Sequence, residues 1–351
     1  MFKKIKILLS GILVILIALA IYLKFINKNK IEIPKITLSG KNIITIYQDQ
    51  EYKEPGYKAT DPNDGNITNQ VKIKGQVQNG KIGTYELIYT VTNSKDETAE
   101  AHRFVKIIQR KEITYKDEYG NIDNQSRGWW SNNKSDGKRP SGGADINELK
   151  KYNAFFMGPD EKVLYLTFDE GGLETYVKEI VDVLDKNNVK ATFFLCRKFI
   201  EENAELIKQM AETGHTIANH TSHHLNMPSL ATRENFDKYL QEIKDVEQTY
   251  YEITGKNMEK IYRDPRGEWS FRDLQIMKDL GYRTYFYSAD YLDYKEDVTK
   301  EKALNELTKR VHNGAIYLMH PKNKGNYLAL DTFINNMKKQ GYRFDLVKNI
   351  K

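Results

Sequence analysis

The fold class of this chain is decided by the stretch VLYLTFDEG at residues 163–171. Its first six residues, Val163 to Phe168, form a mostly apolar run with the length of a buried strand, and two acids follow the run. Four more strand-like runs come later, and helical patterns separate them. Strands that alternate with helices pair in parallel, so the sequence predicts an α/β domain built as a barrel or as an open doubly wound sheet. The other predicted strands are Ala191 to Cys196, Thr216 to Asn219, Arg283 to Ser288 and Ala315 to Met319, and the predicted helices are Glu174 to Asn188, Ala204 to Thr213, Tyr239 to Tyr251, Phe271 to Leu280, Lys302 to Asn313 and Leu328 to Gln340.

The C-terminal ends of the predicted strands carry polar residues suited to chemistry. Parallel strands bring these ends to one edge of the sheet, where the catalytic groups of such folds lie. His220 and His224 can direct two imidazoles at one point, and a carboxylate from Asp169-Glu170 would complete a metal site of two histidines and one acid. A capped loop is the alternative interpretation of the histidine pair, and a solvated surface is that of the acids. The strand-end groups are Asp169-Glu170, His220 to His224, Arg263 to Gly267, Asp290 with Asp293, and His320.

In their order along the chain, these groups resemble the motifs of the NodB-homology polysaccharide deacetylases, which form carbohydrate esterase family four. The resemblance covers about residues 127–351 and implies a distorted (β/α)7 barrel. The motifs are Thr167-Phe168-Asp169-Glu170-Gly171, similar to T-F-D-D-G; His220-Thr221-Ser222-His223-His224, similar to H-S/T-x-x-H; Arg263-Asp264-Pro265-Arg266-Gly267; Asp290-Tyr291-Leu292-Asp293-Tyr294, similar to D-x-x-D-W; and Tyr317-Leu318-Met319-His320, similar to L-x-H.

The resemblance implies hydrolytic removal of an acetyl group from an amino sugar, with acetate and an amine as products. In the family pattern Asp169 is the base that deprotonates the attacking water, and His320 is the acid that protonates the leaving amine. Arg263 is expected to pair with Asp169, and Asp293 with His320, although a structural ion pair at the barrel rim is the alternative for Asp293. The implied cofactor is a divalent metal, zinc by the family pattern, with the ligands Glu170, His220 and His224.

Three positions depart from the family pattern. Glu170 replaces the second aspartate of the first motif; it is still a hard oxygen ligand, but one methylene longer. Tyr294 replaces a tryptophan, and Arg266 replaces the aromatic residue expected after Pro265. The form with Arg266 resembles the branch that acts on N-acetylmuramic acid in spore-cortex peptidoglycan, where the deacetylated sugar becomes the muramic δ-lactam. An arginine fork can hold the lactyl carboxylate that distinguishes muramic acid from glucosamine. The resemblance therefore gives as substrate-binding residues Arg266, Pro265 and Leu318.

Two other functions compete with this one. A peptidoglycan or surface-polysaccharide N-acetylglucosamine deacetylase would leave Arg266 with a structural role. A wall-binding pseudoenzyme would follow if Glu170 disrupts the metal site. The expected partners are the peptidoglycan glycan strand and a peptidoglycan amidase. Nucleic acid is a poor candidate, because basic and acidic residues balance at 48 each beyond residue 30.

The chain before residue 110 has a different pattern. Alternation with period two predicts a small β-sandwich at residues 31–109, and the pattern resembles the immunoglobulin-like modules of bacterial surface proteins. Asp61 and Asp64 are expected to hold a turn, with calcium binding as the alternative. Residues 110–150 are polar and rich in Gly, Asn and Ser, which predicts a linker and N-terminal extension before the deacetylase domain at residues 151–351. The alternating runs are Ile43 to Tyr47, Val71 to Val77, Tyr85 to Val91 and Phe104 to Ile108.

Residues 1–30 have the pattern of a membrane anchor. The 17-residue apolar run from Ile7 to Leu23 would span ~26 Å as a helix, close to the ~30 Å of a bilayer's hydrocarbon core. Lysines flank the run on both sides, and the short N-terminal tail favours an N-terminus inside the cell, with everything after Lys30 outside. A cleaved signal peptide, ending near Ala18-Leu19-Ala20, is the alternative and would give a secreted protein; a buried core helix is a third interpretation.

We therefore predict a membrane-anchored protein of the cell envelope whose catalytic domain lies outside the cytoplasm; the spore-cortex resemblance points to the forespore or spore membrane. Fractionation of cells that produce the chain should recover it with the membranes, and its release should require detergent. Recovery of a mature chain that begins near Ile21 in the soluble extracytoplasmic fraction would show a cleaved signal peptide instead.

Overall fold

The computed structural model describes residues 33–110, 112–132, 135–170, 176–294 and 298–351. The described part of the chain divides after Arg110 into two compact units. None of the helices in the described ranges has the length and apolarity that a bilayer span needs. The predicted anchor at Ile7 to Leu23 lies outside those ranges.

The first unit is built from two small β-sheets. Its strands are β1 (Lys35–Leu38), β2 (Ile43–Tyr47), β3 (Tyr57–Asp61), β4 (Gly65–Asn66), β5 (Lys72–Lys74), β6 (Gly83–Thr92) and β7 (Thr98–Ile108). One sheet has the order β1-β3-β4, and the other has the order β2-β7-β6-β5, with β2 parallel to β7. Ala59, Ile67 and Val91 are buried between them. The predicted β-sandwich is thus confirmed.

The acids of the Asp61–Asn66 segment hold a turn. One carboxylate oxygen of Asp61, Oδ1, accepts hydrogen bonds from the backbone N–H groups of Asn63 and Asp64, at 2.8 and 3.0 Å. The other, Oδ2, accepts from Asn93 Nδ2 at 2.9 Å, and the Asp64 carboxylate accepts from the backbone and hydroxyl of Ser94. These contacts favour the turn interpretation over calcium binding, because the carboxylate oxygens already have donors.

The second unit alternates strands and helices, as predicted. Its strands are β8 (Arg127–Gly128), β9 (Ala154–Phe155), β10 (Val163–Glu170), β11 (Thr192–Leu195), β12 (Thr216–Asn219), β13 (Ile261–Tyr262), β14 (Glu268–Trp269), β15 (Arg283–Tyr285), β16 (Ala315–Met319) and β17 (Arg343–Phe344). Its α-helices are α1 (Ile146–Lys151), α2 (Val177–Lys186), α3 (Arg197–Glu202), α4 (Ala204–Thr213), α5 (Met227–Leu230), α6 (Phe236–Thr254), α7 (Phe271–Asp279), α8 (Lys300–Lys309) and α9 (Lys324–Lys339).

The central sheet runs in the order β16-β10-β11-β12-β13-β15-β9, and β17 pairs with β10. The pairings between these strands are parallel. The sheet curls until its two ends approach each other. A bridge between Ala289, which follows β15, and Tyr317 of β16, the first strand in this order, shows the curl. All eight residues of β10 are buried, as expected of a strand covered on both faces. The C-terminal ends of β10, β12, β13 and β16 therefore meet at one rim.

From residue 111 onward, the predicted linker at residues 110–150 belongs to the second unit. Tyr119 is fully buried in a cluster with Phe236 and Tyr239 of α6. Trp129 stacks on Phe286 with 4.1 Å between ring centroids, and its indole Nε1 donates to the carbonyl of Tyr287 at 2.9 Å. This segment is an integral extension of the second unit, since its aromatic side chains complete that unit's core.

Candidate active site

Asp169 lies at the end of β10 and faces across the curled sheet. Its Oδ1 accepts a hydrogen bond from Nη1 of Arg263, the residue after β13, at 2.6 Å. Arg263 is itself buried, and its remaining donors reach Thr167 Oγ1 at 2.8 Å and the carbonyls of Tyr285 and Phe286 at 2.7 and 3.2 Å. The predicted ion pair therefore exists, and a fixed, charge-assisted bond sets the orientation of the Asp169 carboxylate.

His220 follows β12 and approaches the other oxygen of the same carboxylate. Its Nδ1–H donates to the carbonyl of Arg263 at 2.9 Å, which leaves Nε2 with its lone pair, 3.8 Å from Asp169 Oδ2. Burial lowers the pKa of His220 more than the nearby Asp169 raises it. The imidazole is therefore neutral at pH 7. The lone pair on its Nε2 and the lone pairs on Asp169 Oδ2 are separated by this distance of 3.8 Å.

The loop after His220 brings the second histidine back toward the first. Thr221 and His224 both have left-handed backbone conformations, with φ of 67° and 57°. The N–H of His224 donates to Thr221 Oγ1 at 3.0 Å, and Thr221 N donates to Asn219 Oδ1 at 2.9 Å. The two imidazole centroids lie 4.9 Å apart as a result. Burial and the neighbouring His220 lower the pKa of His224 to about 4, so this ring is also neutral at pH 7.

His320 lies one residue beyond β16, on the same rim. Its Nδ1 is 2.7 Å from Asp293 Oδ1, and its backbone N–H donates to Asp293 Oδ2 at 2.7 Å. Burial opposes protonation of His320, but the hydrogen bond and charge of Asp293 outweigh it and raise the histidine's pKa above its ordinary value. The site therefore contains a fixed carboxylate on one side and an imidazole that favours its protonated form on the other.

The predicted metal ligands are only partly brought together. His220 and His224 are neutral, oriented imidazoles, and a backbone carbonyl fixes the tautomer of His220, as is usual for metal-binding histidines. Glu170 is buried at the last position of β10. Among the described residues, however, no group of three or more His, Cys, Asp or Glu side chains has a geometry that would hold a metal. Consecutive residues of a strand point to opposite faces of the sheet. Because Asp169 points toward Arg263, the strand geometry alone does not direct the next residue, Glu170, toward the two histidines.

The predicted substrate-binding residues lie around this rim. Pro265 is buried directly before Arg266, whose side chain is 53% exposed and pairs with Glu268, Nη2 to Oε2, at 3.2 Å. Leu318 is half-buried and in register with Thr167 on the adjacent strand, so it lies on the sheet face that Thr167 presents to Arg263. Arg266 is thus solvent-accessible, but it already has an acidic partner that sequence reasoning did not include.

Two further polar side chains support the site and were missed by sequence reasoning. Asn326 of α9 donates from Nδ2 to Asp293 Oδ2 at 2.7 Å and to the carbonyl of His320 at 3.0 Å. The buried carboxylate of Glu242, on α6, accepts from the N–H and Nδ1 of His223 at 2.8 and 2.7 Å. Both residues lie on helices whose apolar periodicity gave no signal of a site, and neither belongs to a motif.

Comparison with known proteins identifies a family for each of the two units. A family model described as polysaccharide deacetylase matches residues 157–285, and one described as bacterial surface protein, Ig-like domain, matches residues 36–107. The peptidoglycan-N-acetylmuramic acid deacetylase PdaA of Bacillus subtilis is 38% identical over 233 residues, which cover 65% of this chain and 87% of that protein. A peptidoglycan-N-acetylglucosamine deacetylase of Bacillus cereus is 31% identical over 201 residues, 56% of this chain and 71% of that protein.

The solved structure of B. subtilis PdaA, described as a family 4 carbohydrate esterase, superposes with a TM-score of 0.61 at 36% identity, covering 65% of this chain and 98% of that one. The residues matched by the deacetylase family model include Asp169, His220 and Arg263. The chain therefore belongs to the polysaccharide deacetylases of carbohydrate esterase family 4, with an immunoglobulin-like domain before the catalytic domain.

Proposed function

We propose that this peptidoglycan deacetylase acts on N-acetylmuramic acid and so prepares the sugar for conversion to the muramic δ-lactam of spore cortex. Arg266, exposed at the rim and close enough to His224 to contribute to its lowered pKa, is the observation that carries the proposal. A guanidinium at this position can bind the lactyl carboxylate that muramic acid has and glucosamine lacks. The similarity to B. subtilis PdaA supports the same substrate.

The described residues can perform hydrolysis of an N-acetyl group in two steps. Asp169, fixed by Arg263, accepts a proton from water as the water oxygen bonds to the carbonyl carbon. The resulting oxyanion requires a stabilising donor, a role that a backbone N–H group can fill. His320, kept protonated by Asp293, then gives its proton to the nitrogen as the C–N bond breaks. Acetate and the free amine are the products.

His220 and His224 are the proposed protein ligands of a divalent metal, and zinc suits imidazole ligands. A bound cation would acidify a water molecule and polarise the acetyl carbonyl. Glu170 remains a predicted third ligand.

The proposal places the enzyme after a peptidoglycan amidase. The lactyl carboxylate of muramic acid is an amide wherever a stem peptide is attached, and an amide carries no charge for Arg266 to bind. An amidase that removes the peptide would expose the carboxylate. The proposed setting is the outer side of a membrane that holds the N-terminal segment.

The first prediction of this mechanism concerns pH. Asp293→Asn keeps a hydrogen-bond acceptor near His320 but removes the charge that raises its pKa. A general acid must be protonated, so the high-pH limb of the kcat profile should move to lower pH, with kcat above the limb reduced about tenfold for each unit of displacement. A pH series of kcat for both proteins is the measurement. An unmoved limb in a folded variant would contradict the assignment of His320 as the acid.

The second prediction concerns the metal. His220→Ala and His224→Ala should each weaken zinc binding by more than the roughly 10- to 100-fold that loss of a supporting contact costs. Isothermal titration calorimetry of the metal-stripped protein measures this directly. His102→Ala is the matched control, because His102 is an exposed histidine between two glutamates in the first unit. Equal zinc affinity in all four proteins would exclude the two histidines as ligands.

The third prediction separates muramic acid from glucosamine as the substrate. Loss of a charge-assisted carboxylate contact costs about 10- to 150-fold, and the half-exposed Arg266 should fall near the lower end. Arg266→Ala should lose this factor in kcat/KM on peptide-free muramic-acid glycan and lose far less on N-acetylglucosamine oligomers. Arg266→Lys should lie between wild type and Ala, since lysine keeps the charge without the fork. Equal losses on both glycans would favour the N-acetylglucosamine alternative.

A further inference from the structure

Arg266 lies in a turn that the N-terminal extension fixes in place. Arg266 and Gly267 are both left-handed, with φ of 57° and 66°. Glu268 and Trp269 then pair as β14 with Arg127–Gly128 of the extension, and Trp129 N donates to the Gly267 carbonyl at 2.7 Å. A Cβ at Gly267 would lie 3.3 Å from Trp129 Cβ, so the two segments are tightly packed. The backbone position of Arg266 is thus set from outside its own motif.

The side chain of Arg266 is held by Glu268. Glu268 Oε2 lies 3.2 Å from Arg266 Nη2 and also accepts a hydrogen bond from Asn226 Nδ2 at 2.8 Å. Asn226 is fixed in turn, because its Oδ1 caps α5 by accepting from Ser229 N at 2.9 Å. Since Asn226 follows His224 by two residues, Glu268 joins the loop that carries Arg266 to the loop that carries the second histidine.

This arrangement leaves about half of the Arg266 side chain exposed, at 53%. A guanidinium has five N–H donors, and the contact with Glu268 joins Nη2 to one carboxylate oxygen. A half-exposed arginine without such a partner would sample many rotamers, and a substrate would have to order it on binding. Glu268 can therefore orient Arg266 before the substrate arrives. The opposite possibility is that its carboxylate competes with the substrate's carboxylate for the same fork.

We propose that Glu268 is a positioning residue for muramic-acid specificity, which holds Arg266 in the orientation that binds the lactyl carboxylate. The proposal rests on the function proposed above. It adds Glu268 of β14 to Arg266 as a determinant of specificity. Because β14 pairs with β8, the N-terminal extension also contributes to this specificity.

The test is the ratio of kcat/KM on peptide-free muramic-acid glycan to kcat/KM on N-acetylglucosamine oligomers. In Glu268→Ala this ratio should fall about two- to fivefold, the range expected for a partly exposed ion pair. The fall should come from a higher KM for the muramic substrate, since the acid and base are unaffected. Glu268→Gln keeps an oxygen that can accept from Asn226 but removes the charge that pairs with Arg266, so its ratio should fall between those of wild type and Glu268→Ala.

Two comparisons make the result specific. In an Arg266→Ala background, Glu268→Ala should change the ratio no further, because the side chain that it positions is gone. Glu161→Ala is the matched control; it removes an exposed partner of Arg343, 3.1 Å away, just before β10 and at the opposite end of that strand from the site. It should leave the ratio as in wild type, and thermal melting should confirm that every variant is folded.

The outcomes separate this inference from the proposed function. If the ratio falls in Arg266→Ala but not in Glu268→Ala, the positioning role of Glu268 is overturned and the proposed substrate stands. A ratio in Glu268→Ala above that of wild type would identify Glu268 as a competitor of the substrate's carboxylate. An unchanged ratio in Arg266→Ala overturns both the proposed substrate and the positioning role. A fall in Glu268→Ala that persists in the Arg266→Ala background shows that Glu268 acts by another route and also overturns the proposal.

Discussion

The buried ion pair between Asp169 and Arg263 is the contact on which the rest of the site depends. A buried charge is costly unless it is paired and fully hydrogen-bonded. Arg263 meets this requirement by donating hydrogen bonds to Asp169, to Thr167 and to two backbone carbonyls, those of Tyr285 and Phe286. Its guanidinium also lies 4.1 Å from the ring centroid of Phe194. It thereby links β10, β11, β13 and β15 across the inside of the curled sheet. Its own carbonyl also fixes the tautomer of His220.

The same rim contains a second pair of opposite electrostatic character. Asp293 is buried and accepts from Asn326, from the His320 backbone and from the His320 ring. Arg263 stabilises a carboxylate, whereas Asp293 stabilises an imidazolium. Hydrolysis of an amide needs both a base for the water and an acid for the amine, and this rim carries a carboxylate paired with Arg263 and an imidazole paired with Asp293.

The sequence predicts the central features of this fold because they follow from local pattern. Val163 to Phe168 and Ala315 to Met319 are long enough to show strand character, and the polar residues that follow them do meet at one rim. The two-residue strands β9 and β13 are too short for any periodicity and could not be found in this way. The contact of Arg266 with Glu268 depends on a turn with two left-handed residues. Asn326 reaches Asp293 from a helix more than thirty positions away. Such partners follow from tertiary packing, and no local pattern predicts them.

The central claim is that this rim removes acetyl groups from peptidoglycan amino sugars with Asp169 as the base. Mass spectrometry of purified, peptide-free glycan fragments after incubation with the protein tests it most directly, with Asp169→Asn as the paired sample. Wild-type protein should convert muramic residues to forms that have lost one acetyl group, and folded Asp169→Asn should leave the fragments unchanged. The claim would be contradicted if folded wild-type protein left every acetyl group on the fragments, both with and without added divalent metal.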